Sequence, residues 1–114
     1  MTIINHSTRA DVPVIIIDQG RLADGLGLQE LYEDLVEEVD SGQRENVVLD
    51  FRLVDTVTLP GLSMLIRAKN KFDEKGATLH LCGLAPNVAE VIQATAFHLL
   101  FPVHDNVETA LQAI

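Results

Sequence analysis

The stretch that most constrains this chain is Val47-Val48-Leu49-Asp50, followed by Phe51-Arg52-Leu53-Val54-Asp55-Thr56-Val57-Thr58 and then Leu59-Pro60-Gly61-Leu62. Val-Val-Leu offers no polar side to water. A strand of that kind is covered on both faces, as strands of parallel sheets are when helices pack on either side. An acid ends the run, a short polar loop follows, and the Pro-Gly pair opens an amphipathic helix. A strand–loop–helix corner is where an α/β domain presents polar groups to a ligand or partner.

The rest of the chain supplies what such a strand needs. Leu28, Leu31, Tyr32, Leu35, Val36 and Val39 recur at helical spacing and form one apolar stripe. Ser41-Gly42 closes that helix, with Gly42 expected just past its end. A second helix is expected from Pro60 to Lys75, with Leu62, Leu65, Ile66, Ala68 and Phe72 inward and Gly76 closing it. Val88, Val91, Ile92 and Thr95 mark a third helix after Pro86, and Asn106 caps a fourth carrying Val107, Ala110, Leu111 and Ile114. Strands are expected at Val12–Ile17, Asn46–Leu49 and Thr78–Cys82, with a short edge strand at Thr2–Asn5 and another at Leu99–Val103. Asp18 to Gly27 reads as loop. Strands alternating with helices mean βα units and a largely parallel sheet. The 114 residues are expected to form a single domain, residues 1–114.

Charge and cysteine content narrow the partners. Eight basic residues against seventeen acidic leave a net charge of −9, which argues against nucleic acid and anionic membrane surfaces. Glu30, Glu33, Asp34, Glu37, Glu38 and Asp40 cluster on the first helix, and Arg67, Lys69, Lys71 and Lys75 on the second. They read as solvated faces, or as an acidic side and a basic side that would orient a protein partner. Cys82 has no cysteine to pair with in this chain, which fits a reducing cytoplasm. Met1 to Ile17 has no basic start before an apolar segment, so no signal peptide is expected, nor is membrane insertion.

Catalytic and cofactor chemistry is expected to be absent. No glycine-rich phosphate loop is present. His6, His80, His98 and His104 lack metal-ligand spacing, and each reads as structural. Cys82 sits in an apolar strand, where a thiol is usually inert. Asp50 is expected to end its strand by accepting loop amides, with Asp55 solvated, rather than the two forming a catalytic or metal-binding pair. A phosphoacceptor receiver domain would need an acidic pair after its first core strand, and only Asp18 is there. No metal, cofactor or catalytic residue is expected.

At this point the chain resembles the STAS family, the sulfate-transporter and anti-sigma-factor-antagonist domains. Val47-Val48-Leu49-Asp50 looks like that family's central strand ending in Asp, and Thr58-Leu59-Pro60-Gly61-Leu62 takes the place of its Asp-Ser-Ser/Thr-Gly-Leu motif. Lys75-Gly76-Ala77-Thr78-Leu79 resembles the turn into its next strand. Phe101-Pro102-Val103-His104-Asp105 and Glu108-Thr109-Ala110-Leu111 resemble its C-terminal strand and helix, and Gly20-Arg21-Leu22-Ala23 sits where Gly-Glu-Leu-Asp is common. The resemblance implies an α/β domain with a mixed, mostly parallel sheet of four or five strands flanked by four helices. It implies a role in bacterial partner switching, in which a serine/threonine kinase that is also an anti-sigma factor binds the unphosphorylated protein and releases it after phosphorylating the first motif serine.

This chain departs from the motif at that position. Leu59 stands in place of the phosphoserine, Pro60 in place of the next hydroxyl residue, Thr58 in place of the acid, and Ala23 in place of the early-loop acid. No phosphorylation is expected at the motif, with Thr58 and Ser63 as secondary candidates; Thr56 reads either as a displaced phosphoacceptor or simply as an exposed loop threonine. Thr58 is expected to cap the helix by accepting the Gly61 amide, since Pro60 has none to give. Leu59 is either an exposed anchor for a partner or a buried staple on the helix start, and the first is preferred. The residues expected to meet a protein partner are Asp55, Thr56, Thr58, Leu59, Pro60, Gly61, Ser63 and Arg67. That partner would be an anti-sigma kinase-like protein or another STAS protein, with a homodimer left open. The alternative is a STAS subunit regulating an ABC transporter ATPase, and a nucleotide- or ligand-binding role comes third.

Overall fold

A computed structural model describes residues 4–9, 12–18, 20–22 and 25–114. In chain order the elements are β1 (Ile4–Arg9), β2 (Val12–Ile17), β3 (Arg21–Leu22), α1 (Leu26–Asp40), β4 (Asn46–Asp50), β5 (Thr56–Val57), α2 (Leu59–Glu74), β6 (Thr78–Cys82), α3 (Pro86–Ala94), a 3-10 turn at Phe97–Leu99, β7 (Val103–His104) and α4 (Val107–Gln112). The main sheet has five strands in the order β1-β2-β4-β6-β7, and β3 pairs with β5 in a separate two-stranded ribbon. β1 runs antiparallel to β2, and every other pairing is parallel. This is the expected mixed, mostly parallel sheet with four helices.

Alternation along the central strands explains why the Val-Val-Leu run is apolar throughout. Ile15, Ile17, Val47, Leu49, Leu79 and Leu81 point to one face and join α1, α2 and α3 in the main core. Val14, Val48 and Cys82 point to the other and meet Ala110 of α4 in a smaller core. Leu31, Leu35 and Val39 of α1 and Leu65, Ala68 and Phe72 of α2 are all buried, as the stripes predict. Each such leucine, valine or phenylalanine side chain stabilises the fold by about 1.5–3 kcal/mol through removal from water.

Helix α2 ends in a full Schellman turn. Gly76 adopts φ +69°, its N–H reaches Asp73 O at 3.1 Å, and the Ala77 N–H reaches Phe72 O at 2.8 Å. At the end of α1 Gly42 lies just past the C-cap Ser41, as expected, but it is not the left-handed residue. Ser41 and Gly42 both donate to Glu37 O, and the left-handed residue is Gln43, with φ +52°. Gly42 serves instead as a close approach, since a Cβ there would lie 2.7 Å from Glu38 O.

Several boundaries shift. The first strand is described over Ile4–Arg9, so it extends beyond its expected end at Asn5; Thr2, Ile3 and Ala23 lie outside the described residues. The expected loop from Asp18 to Gly27 contains β3 and the start of α1. Of the expected strand Leu99–Val103, Leu99 closes a 3-10 turn and residues 100–102 are irregular, so strand pairing begins only after Pro102, at Val103–His104. Proline cannot donate to a ladder, which delays the strand.

Candidate functional site: a pinned strand–loop–helix corner

The corner begins where β4 runs out. Asp50 is 2% exposed and its carboxylate accepts the Arg52 N–H at 3.0 Å, while Arg52 Nε lies 3.3 Å from its other oxygen. That is the expected strand-ending role, with an ion pair added. Phe51 donates to Cys82 O at 2.8 Å and Val54 donates to Phe51 O at 2.8 Å, so the loop turns over two buried apolar residues. Arg52 and Leu53 are left at the tip, with Leu53 49% exposed.

The second half of the loop is tied to the segment before α1. Asp55 and Thr56 both donate to Gly20 O, at 2.7 and 3.1 Å, and β5 lies parallel to β3 with Leu22 opposite Val57. Thr58 donates twice to one atom, Leu22 O: through its N–H at 3.0 Å and its hydroxyl at 3.1 Å. The Asn87 side chain donates to Asp55 O, which joins the start of α3 to the same loop. Asp55 itself is exposed, as expected, and its carboxylate accepts the Thr56 hydroxyl at 3.1 Å.

Two expectations about Thr58 and the helix start need correction. Helix α2 begins at Leu59, one residue before Pro60, and Thr58 is its N-cap residue with extended backbone. Its side chain makes no capping bond. The hydroxyl donates outward to Leu22 O instead of accepting the Gly61 amide. The cause is competition: the β3 carbonyl stands within reach, and a hydroxyl can satisfy it only by donating. The same carbonyl explains Gly61. A Cβ at that position would lie 2.7 Å from Leu22 O, closer than side chains ever come, so the helix can approach β3 only with glycine there.

Leu59 points away from all this. It is 77% exposed, so it is no buried staple. Pro60, Ser63 and Arg67 are also exposed on the first turns of α2, while Gly61, Leu62 and Met64 are buried. Pro60, Ser63 and Arg67 line a groove of about 290 Å³ against α1, together with Leu28, Gln29 and Tyr32. The Arg67 guanidinium stacks over the Tyr32 ring at 4.3 Å, an interaction worth about 0.5–1 kcal/mol at an exposed site. The acidic and basic helices therefore adjoin rather than forming opposite sides, and Lys75 meets Asp40 at 3.5 Å across the same seam. Of the expected partner residues, Asp55, Thr56, Leu59, Pro60, Ser63 and Arg67 are exposed, Gly61 is buried beneath them, and Thr58 is half-buried and engaged.

Among the described residues no group of three or more His, Cys, Asp or Glu converges. A cleft of about 380 Å³ opens beside Asp50 on the α4 face, but the one buried carboxylate in it is already taken by Arg52. Burial pushes the Cys82 thiol up to about 12, with Asp50 adding to the effect and Arg52 opposing it, so it stays neutral. No described helix is long and apolar enough to cross a membrane. The pairing that sequence reading missed is between histidines: His80 Nδ1 and His104 Nε2 lie 3.1 Å apart, brought together by the β6–β7 register. Nothing in their 24-residue separation signals it.

Fold and corner together define a small mixed-sheet α/β domain that carries an apolar-tipped strand–loop–helix corner held from behind by a two-stranded ribbon. The STAS domain model matches residues 26–110. A candidate anti-sigma factor antagonist of Bordetella bronchiseptica, BtrV, is 33% identical over 85 residues, covering 75% of this chain and 72% of that protein. The chain belongs to the STAS domain family. Its fold is shared by an anti-sigma-factor antagonist (STAS) domain protein of Planctomyces limnophilus, with a TM-score of 0.83, 22% identity, and 99% and 98% of the two chains covered. An anti-sigma factor antagonist of Mycobacterium paratuberculosis aligns with a TM-score of 0.81 at 19% identity over 97% and 92% of the chains.

Proposed function

We propose that this chain is a non-catalytic protein-interaction module of bacterial partner switching, similar in role to an anti-sigma factor antagonist, and that it binds without a phosphorylation switch at the motif. Its contact surface is Asp55, Thr56, Leu59, Pro60, Ser63 and Arg67, with Thr58 and Gly61 holding the corner in shape. The partner is a kinase-like anti-sigma protein or another STAS protein in the cytoplasm. One observation carries the reading: where the family motif places a phosphoacceptor serine, this corner presents Leu59, 77% exposed and without a hydroxyl. Of the secondary hydroxyls, that of Thr58 is occupied by Leu22 O, and Ser63 lies one turn further along α2. An exposed leucine that enters a partner's apolar pocket contributes about 1.5–3 kcal/mol, or roughly tenfold to a hundredfold in affinity.

The test pairs the purified chain with a kinase-like anti-sigma protein from the same organism. Leu59→Asp is expected to weaken the complex at least about tenfold with a nearly unchanged melting temperature, because the residue is 77% exposed. Adding ATP and magnesium is expected to leave the complex intact, with no phosphate on residues 58–63. Stoichiometric phosphate on Ser63, or unchanged affinity in Leu59→Asp, would defeat the proposal. Capture of a transporter ATPase in place of a kinase would favour the transporter-subunit role.

A further inference from the structure

The C-terminal segment is fastened to the sheet by little backbone. Strand β7 has two residues, Val103 and His104, and pairs with β6 alone among the described strands. Helix α4 has six residues and closes a core of Val12, Val14, Val48, Cys82 and Ala110. Across this face runs a chain of side-chain hydrogen bonds. Asn46 Oδ1 of β4 lies 3.0 Å from His80 Nε2 of β6, and His80 Nδ1 lies 3.1 Å from His104 Nε2 of β7. Three strands are thereby joined through one buried imidazole.

The network itself assigns the protons. Asn46 Oδ1 accepts, so His80 carries its proton on Nε2. His80 Nδ1 is then bare and accepts from His104 Nε2–H. His104 Nδ1 takes no part in this chain, so a proton there would leave the chain whole, with Nε2–H still donating. A second proton must go to His80 Nδ1. It sets two N–H groups against each other and two positive charges side by side.

Among the described residues, nothing around His80 favours that second proton. On this face β4 contributes Asn46, Val48 and Asp50, β6 contributes Thr78 and Cys82, and α4 turns Val107, Ala110 and Leu111 inward. Asp50 is committed to Arg52, Cys82 stays neutral, and Asp105 and Glu108 border the cleft beside Asp50. Burial lowers the His80 pKa from its ordinary value and the His104 charge lowers it further.

We propose that Asn46, His80 and His104 form a proton-operated latch that fastens Val103–Gln112 to the sheet while His80 is neutral and releases that segment when both imidazoles are charged. The test measures amide hydrogen exchange of the full chain, as protection factors, at about pH 7.5 and about pH 5, across the range where histidine titrates. Protection over residues 103–112 is expected to fall at least about tenfold relative to residues 62–72 of α2. His104→Gln keeps a donor but cannot titrate, and is expected to remove most of that fall. Imidazole nitrogen spectra of the unmodified chain provide a second readout: His80 Nδ1 is expected to gain its proton over the same pH span as the loss. Equal protection at both pH values, a loss shared equally by α2, a loss undiminished in His104→Gln, or protonation of His80 without loss would each overturn the proposal.

Discussion

The carbonyl oxygen of Leu22 organises the corner. It receives both donors of Thr58 and sits where Gly61 must pass without a side chain. Gly61→Ala is expected to destabilise the protein by about 1–3 kcal/mol, because a Cβ set 2.7 Å from a backbone oxygen must displace β3 or α2. Urea unfolding measures the loss, and an unchanged midpoint would show that the ribbon moves aside freely. Single residues were unevenly legible in the sequence. Asp50 could be read correctly, since an acid at a strand's end has loop amides ahead of it and few other uses. Thr58 could not. Its cap role was plausible by local rules, and the acceptor that diverts it lies 36 residues away, in a segment with the composition of a loop.

At the scale of elements, hydrophobic period decided what could be read. Helices α1 and α2 and strands β4 and β6 are long enough to show their stripes or runs, and they stand close to their expected places. The two-residue strands β3, β5 and β7 carry no period, and only register reveals them. Local capping chemistry was legible as well. Asn106 Oδ1 accepts the Thr109 N–H at 2.9 Å and its hydroxyl at 3.0 Å, as a cap for α4 should. Asn106→Ala is expected to cost about 1 kcal/mol, and within the usual range of 0.5–2 for such caps. The loss should appear as faster exchange in α4 before the main core is affected, since α4 closes only the smaller one. Equal loss of protection across α2 would show instead that the two cores open together.

The whole molecule is a sheet with unequal covers. Three helices pack the main face and one short helix the other, and the latter face holds the buried His80. A neutral imidazole of lowered pKa has a definite effect on stability. Between its folded pKa and the ordinary value near 6.5, the unfolded chain binds more protons than the folded one, so stability is full above that value and declines as pH falls below it. Thermal unfolding at pH 7.5 and below pH 6 should show this decline, reduced in His80→Gln. A decline unchanged in that variant would assign it to other groups. The parallel architecture was legible in Val47–Leu49. The histidine contact was not, because it depends on how β6 and β7 are offset, and Pro102 had obscured where β7 begins.

Leu59 has a consequence for control. A binder whose contact tip can be modified is governed by the enzymes that write and erase the mark. With leucine at the tip, the proposed module has no such mark at that position, and its output follows how much of it is made and how fast it is removed. In a circuit it would act as a fixed titrant, setting a threshold that its partner must exceed. Its gene's promoter and its rate of proteolysis would then do the work that a kinase and phosphatase do for hydroxyl-bearing relatives.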